Sequence, residues 1–362
     1  MLVVMEEVND AERRGDAGGA LRVMTENLLD CDGKVFWRSA RIGRLLQLAR
    51  LGPLLPRWAT SRWILEQSLI QVDPAQRDAH RRALAIATEL CGVGGSSSAD
   101  GFAGRVSMAE HDWVYRQLML YEYGGLERFL DVFATPDLVA GADQVSTWAT
   151  ARMRSLRLEE RRPAVLHWTD LSTGDELAVP NLGAAVLEEP GEHALARVVP
   201  TEGGSMFEGV PLGVSEVTAR SVADDPATWL GPLREVAGTE DYFGDLLHGN
   251  FLLTDLPSRL PMLAVREFLP AGNARDLSEG DFARAILALA RRTVMGGRSS
   301  TAAVLDPWPC VAALLVEPEL LPHVARQARP TDSAWLGELA DRLPQPADGV
   351  CRMILADLAD AA

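Results

Sequence analysis

Two carboxylates and an imidazole stand at helical spacing after Thr239. Asp241, Asp245 and His248 are separated by four and three residues, which places them on one side of a helix. With Glu240 beside them, these oxygen and nitrogen donors suit a divalent metal. The competing reading is a solvated acidic face with a histidine in phase, and it is the stronger one. Gly244 weakens the helix, Gly249 ends it, and no fourth ligand stands nearby, so neither a metal nor a cofactor is expected. A second candidate is the turn Gly296-Gly297-Arg298-Ser299, continuing to Ser300, where successive backbone N–H groups and one guanidinium could cradle an anion. An ordinary inter-helix turn explains the same residues. A third is the set Trp168, Arg197 and Phe207, an aromatic-plus-arginine combination of the kind that stacks single-stranded nucleic acid. Asp170, Asp175, Glu176, Glu188, Glu189, Glu192 and Glu208 surround it with negative charge, which favours a packed barrel with a salt-bridged arginine.

No serine sits in a nucleophile elbow, no His-Glu-x-x-His occurs, and the histidines are isolated, so nothing in the pattern points to catalysis. His111-Asp112 is a sequence pair only, because neighbours on a helix do not share a face. Gly92 to Gly104, GVGGSSSADGFAG, lacks the Gly-Lys-Ser/Thr ending of a phosphate loop and reads as a flexible connection. The formal charge of −16 opposes general affinity for phosphate backbones or anionic lipid. Cys31, Cys91, Cys310 and Cys351 lie far apart, without the close pairs of zinc or redox sites, and are expected to be buried thiols in a reducing compartment. The apolar start, MLVVMEEVNDAERR, is too short for a secretory signal, and no apolar run is long enough to span a membrane. A cytoplasmic location is expected.

The elements that would position these residues divide by period. Val165, His167 and Thr169 alternate with Leu166 and Trp168, and Leu177 and Val179 flank Ala178, the period of strands with one covered face. Ser172-Thr173-Gly174-Asp175 between them predicts a hairpin turn, since glycine accepts a positive φ. Further short strands are expected at Ala184–Leu187, Ala194–Val199 and Met206–Leu212.

Helical spacing governs the flanks. Val3 to Leu29 contains Ala11-x-x-x-Gly15-Asp16 and Ala20-Leu21, which resembles the inter-helix contact of tetratricopeptide hairpins. Helices are expected at Ser39–Leu51 and Ser61–Val72. Asp73, Pro74 and Gln76 predict a capping-box start to a helix whose buried stripe is Ala79, Ala83, Ala87 and Leu90. Met108–Tyr121 and Leu126–Phe133 continue the helical character. Beyond the strands, Asp225-Pro226 begins a helix with Trp229, Leu230, Leu233 and Ala237 inward, and another begins at Ser278. Asp332 is expected to cap Ser333–Leu343, and Val350, Ile354 and Leu358 form the stripe of the last helix.

TDLSTGDELAVPN, EEPGEHALARVVP and FEGVPLGV resemble the small β domain of uncharacterised bacterial proteins that often carry an SEC-C zinc knuckle. The C-terminal CRMILADLADAA has no Cys-x-Cys and no His-Cys pair, so the resemblance brings no zinc site with it. Residues Met295 to Ser300 resemble the glycine-arginine turn in the toxin-binding module of Xre-family antitoxins, though no helix-turn-helix stands upstream.

The expected fold is α+β and mainly helical, with a small central β-barrel or twisted sheet: a helical region at 1–155 made of helical hairpins, with the loop at 92–104, a β module at 163–214 and a helical bundle at 215–362. The functional expectation is a non-catalytic protein-interaction or scaffold protein with a protein partner. The alternative is an RNA- or small-anion-binding regulator using the β module or the 296–300 turn.

Overall fold

The computed structural model describes residues 2–27, 57–90, 112–161, 165–180, 189–202, 204–237, 321–342 and 347–360, with isolated positions between them. The fold is α+β and mainly helical, around one curled antiparallel sheet that forms half a barrel.

Helices α1 (Leu2–Arg13) and α2 (Ala17–Glu26) make the expected hairpin. Gly15 turns the chain at φ +75°, where a side chain would be strained, and Asp16 caps α2 by accepting from Gly19 N at 2.7 Å. Helix α3 (Arg57–Ile70) follows, then α4 (Arg77–Leu90). Asp73 and Pro74 do start a helical segment, but as a single 3-10 turn over Pro74–Gln76 that leads into α4. The Gln76 side chain does not complete a capping box. It donates to the Tyr123 carbonyl at 3.4 Å, a tertiary contact that local sequence could not reveal. Ala83, Ala87 and Leu90 form the buried stripe of α4, with Ala79 half-buried.

Asp112 caps α5 (Trp113–Gln117), which runs into a π-helical turn over Leu118–Glu122. Gly124 ends that turn at φ +66°, and a Cβ on Gly125 would overlap the Met119 carbonyl oxygen. Helices α6 (Gly125–Val132), α7 (Pro136–Ala140) and α8 (Val145–Trp148) complete the layer before the sheet.

Among the described residues the sheet has six strands: β1 (Met153–Arg161), β2 (Val165–Asp170), β3 (Glu176–Pro180), β4 (His193–Thr201), β5 (Gly204–Phe207) and β6 (Leu212–Val214). Their order is β3-β2-β1-β4-β5, and β6 also pairs with β4. β5 and β6 act as one interrupted strand: β5 pairs with Val198–Thr201, β6 with His193–Leu195, and Glu208 N still donates to Arg197 O between them. The expected Ser172–Asp175 turn is present, with Gly174 at φ +77°. β1 is a correction to the sequence reading. The central strand begins inside the region expected to be helical up to 155, so the sheet is larger than 163–214. The strand expected at Ala184–Leu187 lies outside the described residues.

After the sheet come α9 (Glu216–Asp224), capped by Ser215, and α10 (Leu230–Val236), preceded by a 3-10 turn that Asp225 caps. Near the C-terminus, α11 (Leu321–Gln327), α12 (Ser333–Arg342) and α13 (Ala347–Asp360) bury Val324, Trp335, Leu336, Leu339, Cys351 and Ile354 in the core shared with α1, α2 and α3. Asp332, immediately before α12, accepts from Arg329 N, closing the preceding 3-10 turn, and from Trp335 Nε1 in the first turn of α12. Burial places the Cys351 thiol pKa at about 12, and Asp348 adds to the shift.

The register fixes which side chains share a face. Leu158 lies across from Trp168, Leu156 from Ala194, and Val198 from Phe207, so these residues line the concave face with Leu166, Val179 and Ala196. The convex face carries Met153, Ser155, Leu195, Arg197, Val199, Met206, Leu212 and Val214, and it lies against helices. Val199 and Met206 join the core of α1, α2, α3 and α6, whereas Met153, Leu195, Leu212 and Val214 join that of α4, α5, α9 and α10.

Candidate functional site

Between those two apolar contacts the convex face is polar. Arg197 projects from β4 and is 4% exposed. Its Nε donates to Gln117 Oε1 at 2.8 Å, its Nη2 to Glu122 Oε1 at 2.5 Å, and its Nη1 to the Ala151 carbonyl. The guanidinium lies over the Tyr121 ring, 4.2 Å from its centroid. Glu122 also accepts from Trp229 Nε1 at 2.9 Å, so one carboxylate ties the π turn to both the sheet and α10.

The β5–β6 interruption supplies the next layer. Glu208 turns inward, 2% exposed, and accepts from Gln117 Nε2 at 2.6 Å. Arg62 of α3 donates to the Phe207 carbonyl at 2.6 Å and stacks on Trp58. Arg116 of α5 lies between two carboxylates, 2.5 Å from Glu66 and 3.6 Å from Glu208. Arg44 reaches the other oxygen of Glu66 at 3.3 Å. The sequence folds this way because α3 presents Arg62 and Glu66 one turn apart, and the π turn follows directly on Arg116 and Gln117. Such turns frequently occur at functional sites.

The ionisation of the cluster follows from burial and pairing. Burial by itself would raise the Glu66 carboxyl pKa, but Arg116 and Arg44 outweigh it and hold it at about 2. Burial lowers Arg62 to about 10 despite the attraction of Glu208. Burial also acts to lower Arg116, yet Glu66 and Glu208 reverse the direction and raise it. Tyr121 is driven well above its ordinary value by burial and then by Glu208. These four groups therefore hold their charge states across the physiological range, which suits an adhesive better than an acid-base pair.

The three residues considered as an aromatic-plus-arginine face, Trp168, Arg197 and Phe207, are not on one face. Trp168 and Phe207 meet edge-to-face inside the half-barrel, with centroids 5.6 Å apart, and are 1% and 4% exposed. Arg197 is on the opposite side of the sheet, and its ion pair with Glu122 is the salt-bridged arginine that the surrounding acids favour. In this conformation none of the three offers a surface for base stacking. Asp241, Asp245 and His248 lie outside the described residues, as do Gly296, Gly297, Arg298 and Ser299. Among the described residues no group of three or more His, Cys, Asp or Glu side chains is placed to hold a metal. None of their helices is long and apolar enough to cross a membrane.

Sequence reasoning missed Arg62, Glu66, Arg116 and Gln117. Their partners are on other elements: Arg116 and Glu66 are 50 residues apart, and Gln117 and Glu208 are 91. The available signal was an arginine or glutamate set beside large apolar residues, Arg62 and Glu66 around Trp63-Ile64-Leu65 and Arg116 between Trp113-Val114 and Leu118-Met119-Leu120. Compared with protein-family models, with curated proteins and with solved structures, the chain gives no match.

Proposed function

We propose that the chain is a non-catalytic protein-interaction or scaffold protein, acting in the cytoplasm through a protein partner and without a cofactor. The observation that carries this reading is the use made of the central ionisable groups. Glu66, Arg116, Glu208, Arg197 and Glu122 are engaged in ion pairs between the helices and the sheet, and pairing holds Glu66 and Arg116 in their charged forms. A buried ion network of this kind fixes how elements sit on one another and leaves helix surface as the means of recognition. The alternative, an RNA- or small-anion-binding regulator, loses support in its β-module form because Trp168, Arg197 and Phe207 are buried, while the 296–300 turn lies outside the described residues.

The test is affinity capture from the native host, identification of retained proteins by mass spectrometry, and titration of the leading one against the purified chain. Saturable, stoichiometric binding at physiological salt is expected. Mixed-sequence single-stranded RNA and DNA should show no saturable binding under the same conditions, because contacts to phosphate weaken steeply with salt and the chain carries −16. Oligonucleotide binding that persists there and disappears in Arg197→Ala would replace the scaffold reading with the regulator.

A further inference from the structure

Two donors from buried residues, Arg197 Nη2 at 2.5 Å and Trp229 Nε1 at 2.9 Å, converge on Oε1 of Glu122. Arg197 and Trp229 are 4% and 2% exposed, whereas the Glu122 side chain is 38% exposed. Both donors are held in place by other contacts as well. Gln117 and the Ala151 carbonyl accept from the remaining nitrogens of the guanidinium, which rests on the Tyr121 ring. The Trp229 indole packs edge-to-face on Trp113, centroids 5.7 Å apart, and Trp113 Nε1 is tied to the Val210 carbonyl at 2.9 Å. Glu122 is placed differently. It is the last residue of the π turn, and its carboxylate reaches this position through those two bonds.

We propose that Arg197 and Trp229 form a carboxylate-binding site, filled in this conformation by the chain's own Glu122 and open to an outside carboxylate that takes its place. The occupant defines the ligand class: a singly charged acceptor that sets one oxygen between a guanidinium and an indole N–H. Donors fixed by their own packing stay aimed when Glu122 leaves, so little further ordering opposes the incoming group. Buried donors left unmet are costly, which favours refilling of the vacated site. In the intact chain the tethered Glu122 acts at a high effective concentration, and a carboxylate with further contacts of its own is needed to displace it. Exchange would untie the π turn from the start of α10, because Glu122 bonds Trp229 there. Entry by exchange also distinguishes this site from an open stacking face, which the burial of Arg197 excludes.

Chemical rescue of the full chain tests the site. Glu122→Ala should lower the thermal midpoint, and sodium acetate should raise it again progressively with concentration, while sodium chloride at equal ionic strength should not. The wild-type midpoint should respond alike to the two salts, since Glu122 already fills the site. Acetate should lose much of its effect in Glu122→Ala/Trp229→Phe, which lacks the indole donor. A blocked glutamyl tripeptide identifies the source of the carboxylate. Rescue at a lower concentration than acetate requires assigns the site to an acidic side chain of a protein partner, and rescue no better than acetate's assigns it to a free acid. Should Glu122→Ala not fold, Glu122→Gln supplies a neutral occupant on which the same two salts are compared. Equal midpoints in acetate and chloride for the variant that folds would overturn the proposal, as would an acetate effect untouched by Trp229→Phe.

Discussion

The two faces of the sheet solve the burial problem in opposite ways. The concave face is closed by Leu156, Leu158, Leu166, Trp168, Val179, Ala194, Ala196 and Phe207, with one ion pair, Arg154 and Asp170, beside Leu156 and Ala196. The convex face is covered by helices over β4, β5 and β6, while Glu176 and Ala178 of β3 stay exposed, and its buried part gives its middle to Arg197, Glu208 and the helical Arg62, Glu66, Arg116 and Gln117. Apolar packing is non-directional and tolerates small shifts of one element on another. Charge pairs with fixed geometry do not. The comparison suggests a division of labour, in which the concave face supplies cohesion and the convex face dictates where the helices dock.

That difference should appear first in Arg116→Ala. The substitution leaves the buried Glu208 and the half-buried Glu66 without the cation between them, though Arg44 still reaches Glu66, so the loss should approach the lower end of the about 3–5 kcal/mol typical of breaking a buried pair from one side. Urea denaturation is the measurement, and a loss well under ~1 kcal/mol would mean that the network is not holding the layers together. Leu158→Ala removes a fully buried side chain from the other face and should cost about 2–5 kcal/mol through lost transfer energy and the cavity left behind. The two variants should differ in character as well as size. Added salt should leave the Leu158→Ala deficit unchanged, because an apolar cavity has no charge to screen.

A pH series sharpens the contrast. The Glu66 pKa is held at about 2, below its ordinary 4.5, so the folded state gains from its ionised form above about pH 4.5 and loses that gain as pH falls toward 2. Stability of the wild-type protein and of Leu158→Ala should therefore decline in parallel between those limits. Glu66→Gln should begin less stable and decline less steeply, because the titrating group is gone. Urea midpoints at about pH 7 and about pH 3 separate the cases, and equal slopes in all three proteins would detach acid stability from the convex face.

Much of the sheet was legible because its signals are local. Gly174 announced a positive φ, and the alternation about Trp168 announced a strand with one covered side. Strand β1 was hidden by its composition: Arg154, Arg157, Glu159, Glu160 and Arg161 mask the inward Leu156 and Leu158, and Ser155 is buried only because its hydroxyl donates to the Ala219 carbonyl at 2.6 Å. Alternation also fixes a side chain's face within its own strand but not across strands. Grouping Arg197 with Trp168 and Phe207 required a register, and the observed pairing of Val198 with Phe207 puts Arg197 on the other side. The convex network was illegible for a related reason. An arginine on a helix reads as solvated until its partner is known, and here the partners are supplied by elements remote in the chain.

The smallest effect comes from the one polar misfit on the concave face. Trp168 Nε1 is buried without a hydrogen-bond partner, so the indole brings packing and an unmet N–H together. Trp168→Phe keeps an aromatic ring opposite Phe207 and removes the unmet donor, at the cost of some buried area. Lost apolar area is worth roughly 25 cal/mol per Å², and a buried donor without a partner costs about 1–3 kcal/mol, so the two changes oppose each other at similar size. The net change in unfolding free energy should fall within about 1 kcal/mol of zero, with an unchanged denaturant slope. A loss as large as that of Leu158→Ala would show that the indole is held by something beyond packing, and the concave face would no longer be the dry half of the comparison.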